Sequence, residues 1–210
     1  MREKIKGTMH RVNSISYDDS ELVSQAVKGN LGAYELLIYK YQNDIFKYCH
    51  FYMKNVALAE DLTQETFLKA FEKLFTFDST YSFKTWLFTI AKNICINELN
   101  RRNVIPMISL NSKLIIDEQD EVEIIELIKD SSDNQAETLD KKQLYVHLEN
   151  CITSLDQSHR EVIIMKYFNN LKCSEIAQIL NINKGTVWSR LHYAILKLKE
   201  LLKEEIKNAL

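Results

Sequence analysis

The sequence predicts an all-α protein: two small helical domains joined by an acidic linker, the carboxyl-terminal one a helix-turn-helix. Three observations predict it. Only 4 glycines and 1 proline occur in 210 residues, and a sheet-rich fold wants glycine in its hairpin turns. Apolar residues recur at three- and four-residue spacings along most of the chain, the signature of amphipathic helices. Composition changes sharply over residues 103–136, which hold the single proline, no aromatic residue, eight acidic residues and two lysines.

In order, residues 1–18 read as a mildly basic leader, and helical patterns follow. One covers about 20–28. A long one runs over 31–53 behind Asn30, a residue type favoured at helix N-caps. A third runs over 56–74 behind Asn55, and a fourth over 82–102 with Ser82 as its cap. Between these two lies 75–81, rich in aromatic and small polar residues. Residues 103–136 read as the linker, partly helical around 122–128. Helices resume near Leu139, with Leu144, Leu148, Cys151, Ile152 and Leu155 as one stripe and Asp156 as the cap of the next helix, through Phe168. This gives a domain at 19–102 and another at 137–210.

The last segment is the most specific. Ile176, Ala177, Ile179 and Leu180 face inward on one short helix. A polar joint, Asn181-Ile182-Asn183-Lys184, leads to a second helix striped by Val187, Leu191, Ala194 and Leu198. That is a helix-turn-helix, whose second helix enters a DNA major groove. With Val187 inward, helical geometry turns Gly185, Ser189, His192 and Tyr193 outward, flanked by Thr186, Trp188 and Arg190. Lys172, Lys184, Arg190, Lys197 and Lys199 oppose only Glu175 between 172 and 199, although the whole chain is −2. Positive charge is thus concentrated where phosphates would lie.

The amino-terminal half carries a second pattern. Fifteen of the 21 aromatic residues fall between Tyr34 and Phe88. Many belong to a core, since Phe67, Phe71 and Leu74 continue the stripe of Leu58 and Leu62. The loop residues Phe77, Tyr81 and Phe83, with Trp86 just inside the next helix, suit stacking on unpaired bases. Leu87, Ile90, Ala91 and Ile94 face inward on that helix. Thr89, Asn93, Asn97 and Asn100 share another face, and asparagine is a poor helix former that needs a reason to recur there. Asp61, Gln64, Glu65, Lys69 and Lys73 form an exposed face whose acidic members would repel DNA, so it fits a protein partner.

Other classes are disfavoured. The cysteines at 49, 95, 151 and 173 are scattered and read as buried free thiols, so no metal site is expected. No cofactor, small-molecule substrate or catalytic residue is indicated, and the reading is of a non-enzyme. No apolar run reaches membrane-spanning length and no signal-peptide core begins the chain, so no membrane insertion and a cytoplasmic location are expected. A stand-alone helix-turn-helix regulator would explain the last domain but give no use to the aromatic loop or the Asp61 face.

Three motifs in order carry a family resemblance: residues 59–70 (AEDLTQETFLKA), 83–93 (FKTWLFTIAKN), and 174–177 (SEIA) with 185–192 (GTVWSRLH). With them the chain resembles the extracytoplasmic-function sigma factors, small bacterial RNA polymerase specificity subunits, from about residue 19 to 202. The resemblance implies that Asp61, Gln64, Glu65 and Lys69 bind the polymerase core. It implies that the Phe77–Phe83 loop, including Ser79, Tyr81 and Phe83, holds a base flipped from the minus-ten element, with Trp86, Asn93 and Asn97 on the helix that reads and opens that element. Arg160, Lys184, Gly185, Thr186, Trp188, Ser189, Arg190, His192 and Tyr193 would serve the minus-thirty-five element. The apolar surface around 163–168 would meet the polymerase flap, and the acidic linker would thread the RNA exit path. Implied partners are core RNA polymerase, promoter DNA and an anti-sigma factor. The family often has a basic residue where Trp188 and Tyr193 stand, and glycine where Asn181 stands.

Overall fold

The computed structural model describes residues 18–102 and 139–209, the side chains of 139–143 and 204–209 excepted. The leader up to residue 17 and the linker at 103–136, with its expected helix at 122–128, lie outside the described residues.

All regular elements among the described residues are helical. The front bundle has four helices: α1 (Asp19–Val27), α2 (Leu31–Met53), α3 (Val56–Glu72) and α4 (Phe83–Arg101). Their starts follow from the expected caps. Asn30, Asn55 and Ser82 each sit in extended backbone, and their side chains accept from the amides of Ala33, Leu58 and Thr85. The helix expected to reach Leu74 ends at Glu72, and Leu74–Thr76 forms a 3-10 turn instead. α2 is the central element, packed on α1, α3 and α4. Leu37, Ile45, Tyr48 and Cys49 on α2, with Leu87, Phe88 and Ala91 on α4, have no solvent exposure. Phe71 departs from expectation: it is 44% exposed at the end of the stripe, its ring 5.0 Å from that of Tyr34.

The rear bundle contains α5 (Leu139–Ser154), α6 (Gln157–Ile163), a π-helical turn (Ile164–Phe168), α7 (Cys173–Leu180) and α8 (Lys184–Ala209). Asp156 caps α6 through the amides of Ser158 and His159. α7 ends at Asn181, whose φ of 53° is left-handed. Asparagine tolerates that region better than most side chains. Val187, Ala194 and Leu198 are fully buried and Leu191 nearly so, so the expected stripe of α8 faces the core.

The two bundles are docked on each other. α4 packs along α7, and α2 against the π-helical turn. Glu161, 8% exposed, enters the seam from α6 and accepts from the hydroxyls of Tyr48 (3.3 Å) and Tyr52. Lys92 Nζ donates to the Ile179 carbonyl at 2.9 Å, Lys84 to that of Asn169, and Lys54 to that of Thr153 at 3.1 Å. Asn169 returns a bond to the Asp44 carbonyl at 2.8 Å. Phe51 and Phe168 close the seam with ring centroids 4.9 Å apart.

Candidate nucleic-acid interface

The first surface is on α4. Its core-facing residues Phe83, Leu87, Ala91 and Ile94 lock the helix in rotation, and its side carrying Lys84 and Lys92 is turned to the rear bundle. Helical geometry then leaves Trp86, Asn93, Asn97 and Asn100 on the remaining face. The three asparagines are exposed, and Trp86 is half-buried. Amides on a rigid, solvent-facing helix present donors and acceptors together, as base edges require. At the helix end Arg101 and Arg102 both grip Glu98, at 2.8 and 2.5 Å, and these bonds hold its carboxyl down to about pKa 2.

The loop before α4 adds an aromatic corner. Phe77, Phe83 and Trp86 contact one another with centroids 5.4 to 5.9 Å apart. Asp78 fixes the loop by accepting from the Thr80 amide at 2.9 Å. Ser79 and Tyr81 stand exposed beside it. Phe83 is placed differently from the expectation of a base contact. It is 2% exposed and packs on Tyr41, because it is in phase with Leu87 and Ile94 on the core side of α4. Its role is to support Phe77 and Trp86 from beneath.

The second surface is the outer side of α8. Lys184, Gly185, Trp188, Ser189 and His192 are exposed, and Thr186, Arg190 and Tyr193 half-buried. A Cβ added to Gly185 would meet nothing within 4 Å. No internal packing therefore demands glycine there, and its lack of a side chain leaves the backbone open to close approach. His192 and Tyr193 lie edge to face, 5.6 Å apart. Trp188 is 58% exposed and does not cap the core. Arg160 is not on this surface. It is half-buried, with Nη2 on the Leu155 carbonyl at 2.8 Å and Nε buried with no partner among the described residues. Burial lowers its pKa, and its charge is felt by Lys54 and Tyr52 of the front bundle.

The third surface is on α3. Asp61 and Gln64 are exposed, and Glu65 and Lys69 form a half-exposed pair at 2.5 Å. Beside them runs an apolar groove between α2 and α3, lined by Leu31, Tyr34, Ile38, Phe67, Leu68 and Phe71. Leu31 is 62% and Leu68 66% exposed. Sequence reading missed this groove, although Leu68 off the core stripe was a signal for it.

The seam was also missed. The surface expected to meet the polymerase flap is spent there: Ile163, Ile164 and Met165 are fully buried and Phe168 covers Phe51. Burial raises the pKa of the Glu161 carboxyl and of both tyrosines that donate to it. A glutamate beside Val162, Ile163 and Ile164 was the available signal. The four cysteines are buried free thiols, Cys49 and Cys95 with sulfurs 3.7 Å apart. Among the described residues no His, Cys, Asp and Glu cluster could hold a metal, and no helix is long and apolar enough to cross a membrane.

A helix-turn-helix bundle docked on a second helical bundle is the architecture of a DNA-binding protein. Residues 37–104 match the family profile for sigma-70 region 2, and residues 146–198 that for sigma-70 region 4. The ECF sigma factor SigW of Bacillus subtilis is 28% identical over 199 residues, covering 89% of this chain and 95% of that protein. The ECF sigma factor SigL of Mycobacterium tuberculosis is 32% identical over 151 residues, covering 71% and 77%. The sigma factor RpoE from Bartonella quintana, solved in complex with the anti-sigma factor NepR, superposes with a TM-score of 0.59 at 22% identity over 80% of this chain and 96% of that one. This chain belongs to the ECF sigma factors, the subunits that direct RNA polymerase to promoters.

Proposed function

We propose that the protein reads a promoter at two points and opens one of them. α8 enters the major groove of the minus-thirty-five element, with Gly185, Thr186, Trp188, Ser189, His192 and Tyr193 at base edges and Lys184 and Arg190 at phosphates. The loop at 77–83 takes a flipped minus-ten base against Phe77, Ser79 and Tyr81, while Trp86, Asn93 and Asn97 hold the separated strand. Flipping costs a few kcal/mol of stacking and pairing, which an aromatic corner can return. Asp61, Gln64, Glu65 and Lys69, with the groove beside them, take a helical element of the polymerase core by the helix-in-groove mode. Domains at 19–102 and 137–210 divide the work. The protein performs no chemistry itself, acts in the cytoplasm, and is held in reserve by an anti-sigma factor, as RpoE of Bartonella quintana has NepR for its partner.

The observation that supports this reading is a pair of exposed, chemically different faces on one chain, the amide face of α4 and the outer side of α8, each on a helix anchored by buried apolar residues. Their spacing adds a requirement. The described residues, 18–102 and 139–209, docked as one body have a radius of gyration of about 15 Å and a diameter of about 39 Å. The two elements are about 25 base pairs, or about 85 Å of duplex, apart. The docked form cannot reach both, so the seam opens on the promoter. Opening also frees Phe168 for the flap and Arg160 for a phosphate. The test is transcription from promoter templates by core polymerase with and without the protein. Promoter-specific initiation only when it is present is expected. Tight duplex binding by the protein alone, with core polymerase left unprogrammed, would overturn the reading.

A further inference from the structure

Trp188 is the large side chain that the rear bundle leaves most conspicuously uncovered. It is 58% exposed, and no aromatic ring packs on it among the described residues. Folding gains little from an indole in that position, since burial is what makes a tryptophan stabilising. The side chain stands on the first turns of α8, one turn after Gly185 and one before His192, both exposed. In helix-turn-helix docking these are the turns that meet base edges. Gly185 leaves open space on the side of the indole toward the helix start.

The major groove offers such a group few partners. Guanine, cytosine and adenine present acceptors and amino donors there, and thymine alone presents an apolar group, its C5-methyl. An indole face set against a donor or acceptor would desolvate it without a bond, which carries a penalty. Set against a methyl, both surfaces leave water. Phosphate contact does not use the indole face either, and its single N–H makes a weak substitute for lysine.

We infer that Trp188 is a specificity-determining residue that selects thymine, through its C5-methyl, within the minus-thirty-five element. The inference rests on the proposed groove docking of α8 and goes beyond it by naming the chemical group read. Ser189, its sequence neighbour, remains available for polar readout of an adjacent pair.

The experiment uses the full chain with core RNA polymerase on a template library randomised across the minus-thirty-five region, and sequences the transcribed templates. The native protein should enrich thymine at one or two positions on either strand. Trp188→Ala should lose that enrichment while keeping the preferences at the other positions, and Trp188→Phe should retain it in part. On a selected promoter, replacing that thymine by deoxyuracil removes only the methyl. The native protein should then initiate about fourfold less, the factor that one buried methyl is worth, and Trp188→Ala should be indifferent. Restoring the methyl as 5-methylcytosine in a cytosine-bearing template should recover part of the loss. A selected promoter with no thymine preference, or a preference that survives Trp188→Ala, overturns this inference and leaves promoter recognition standing. A library from which no template is selected overturns both. Trp188 is too exposed for its loss to unfold the bundle, and an unchanged melting temperature of the alanine variant checks that.

Discussion

The docked seam makes a sharp prediction through Tyr52. Its hydroxyl and that of Tyr48 both donate to Oε1 of Glu161, a carboxylate with almost no access to water. Tyr52→Phe removes one donor and leaves Oε1 with the 3.3 Å bond from Tyr48 alone among the described residues. A hydrogen bond to a buried charged group contributes about 1.5–3 kcal/mol. Taking about 2 kcal/mol, the ratio of docked to open molecules falls roughly 30-fold. Glu161→Gln acts in the other direction. Its amide oxygen still accepts from both tyrosines and no charge need be desolvated, so docking holds or tightens. Small-angle scattering reads the outcome: Tyr52→Phe should raise the radius of gyration above that of the native protein, and Glu161→Gln should not. Because only the open form spans a promoter, Tyr52→Phe should also improve apparent affinity for core polymerase, by at most the same factor. If Tyr52→Phe stays as compact as the native protein and gains nothing with polymerase, the seam does not govern opening.

The same carboxyl gives a pH dependence. Burial raises its pKa in the docked form, whereas the open form leaves it in water, so docking takes up a proton. Falling pH should therefore close the seam, and pH rising through the raised pKa should loosen it; Lys92 and Arg190, which face Glu161, oppose the shift without reversing it. Scattering that expands as pH falls from neutrality toward the ordinary carboxyl range would reverse the assigned sign. Glu65→Lys breaks a half-exposed pair with Lys69 that matters little to folding, yet should weaken polymerase association about tenfold in a pull-down titration. Trp86→Ala should slow promoter opening, measured by permanganate footprinting, while core binding stays intact; lost core binding would make Trp86 part of the fold alone. Leu37→Ala, at a fully buried position of α2, should cost about 2–5 kcal/mol in urea unfolding, and a smaller loss would mean that the front core collapses around the gap.

What the sequence could convey divides along physical lines. Helix starts were legible because a cap is local: Asn30, Asn55, Ser82 and Asp156 each act within three residues of themselves. The stripe of α8 was legible because Val187, Leu191, Ala194 and Leu198 differ from their outward neighbours in one property, hydrophobicity. Phe83 failed that test. An aromatic at a loop–helix boundary suits a core and a stacking site equally, and only the rotation of α4 decides. Helix ends were also less secure, since the stripe through Leu74 persists after the backbone has tightened into a 3-10 turn.

The seam was illegible for a deeper reason. Each of its contacts joins residues about 85 or more positions apart, such as Lys84 with Asn169 and Tyr52 with Glu161, and no periodicity within a helix encodes such a pairing. Its members were visible one at a time only as polar residues in apolar company. That mixture is what a reversible interface requires. A seam as apolar as either core would not open for a promoter, and one made only of exposed ion pairs would not hold together. Placing one buried carboxylate between two tyrosine hydroxyls, ringed by lysines that bond to carbonyls of the other bundle, sets docking between those limits. On the proposed reading, the bundles are packed together at rest and drawn apart by a partner that binds only the open form.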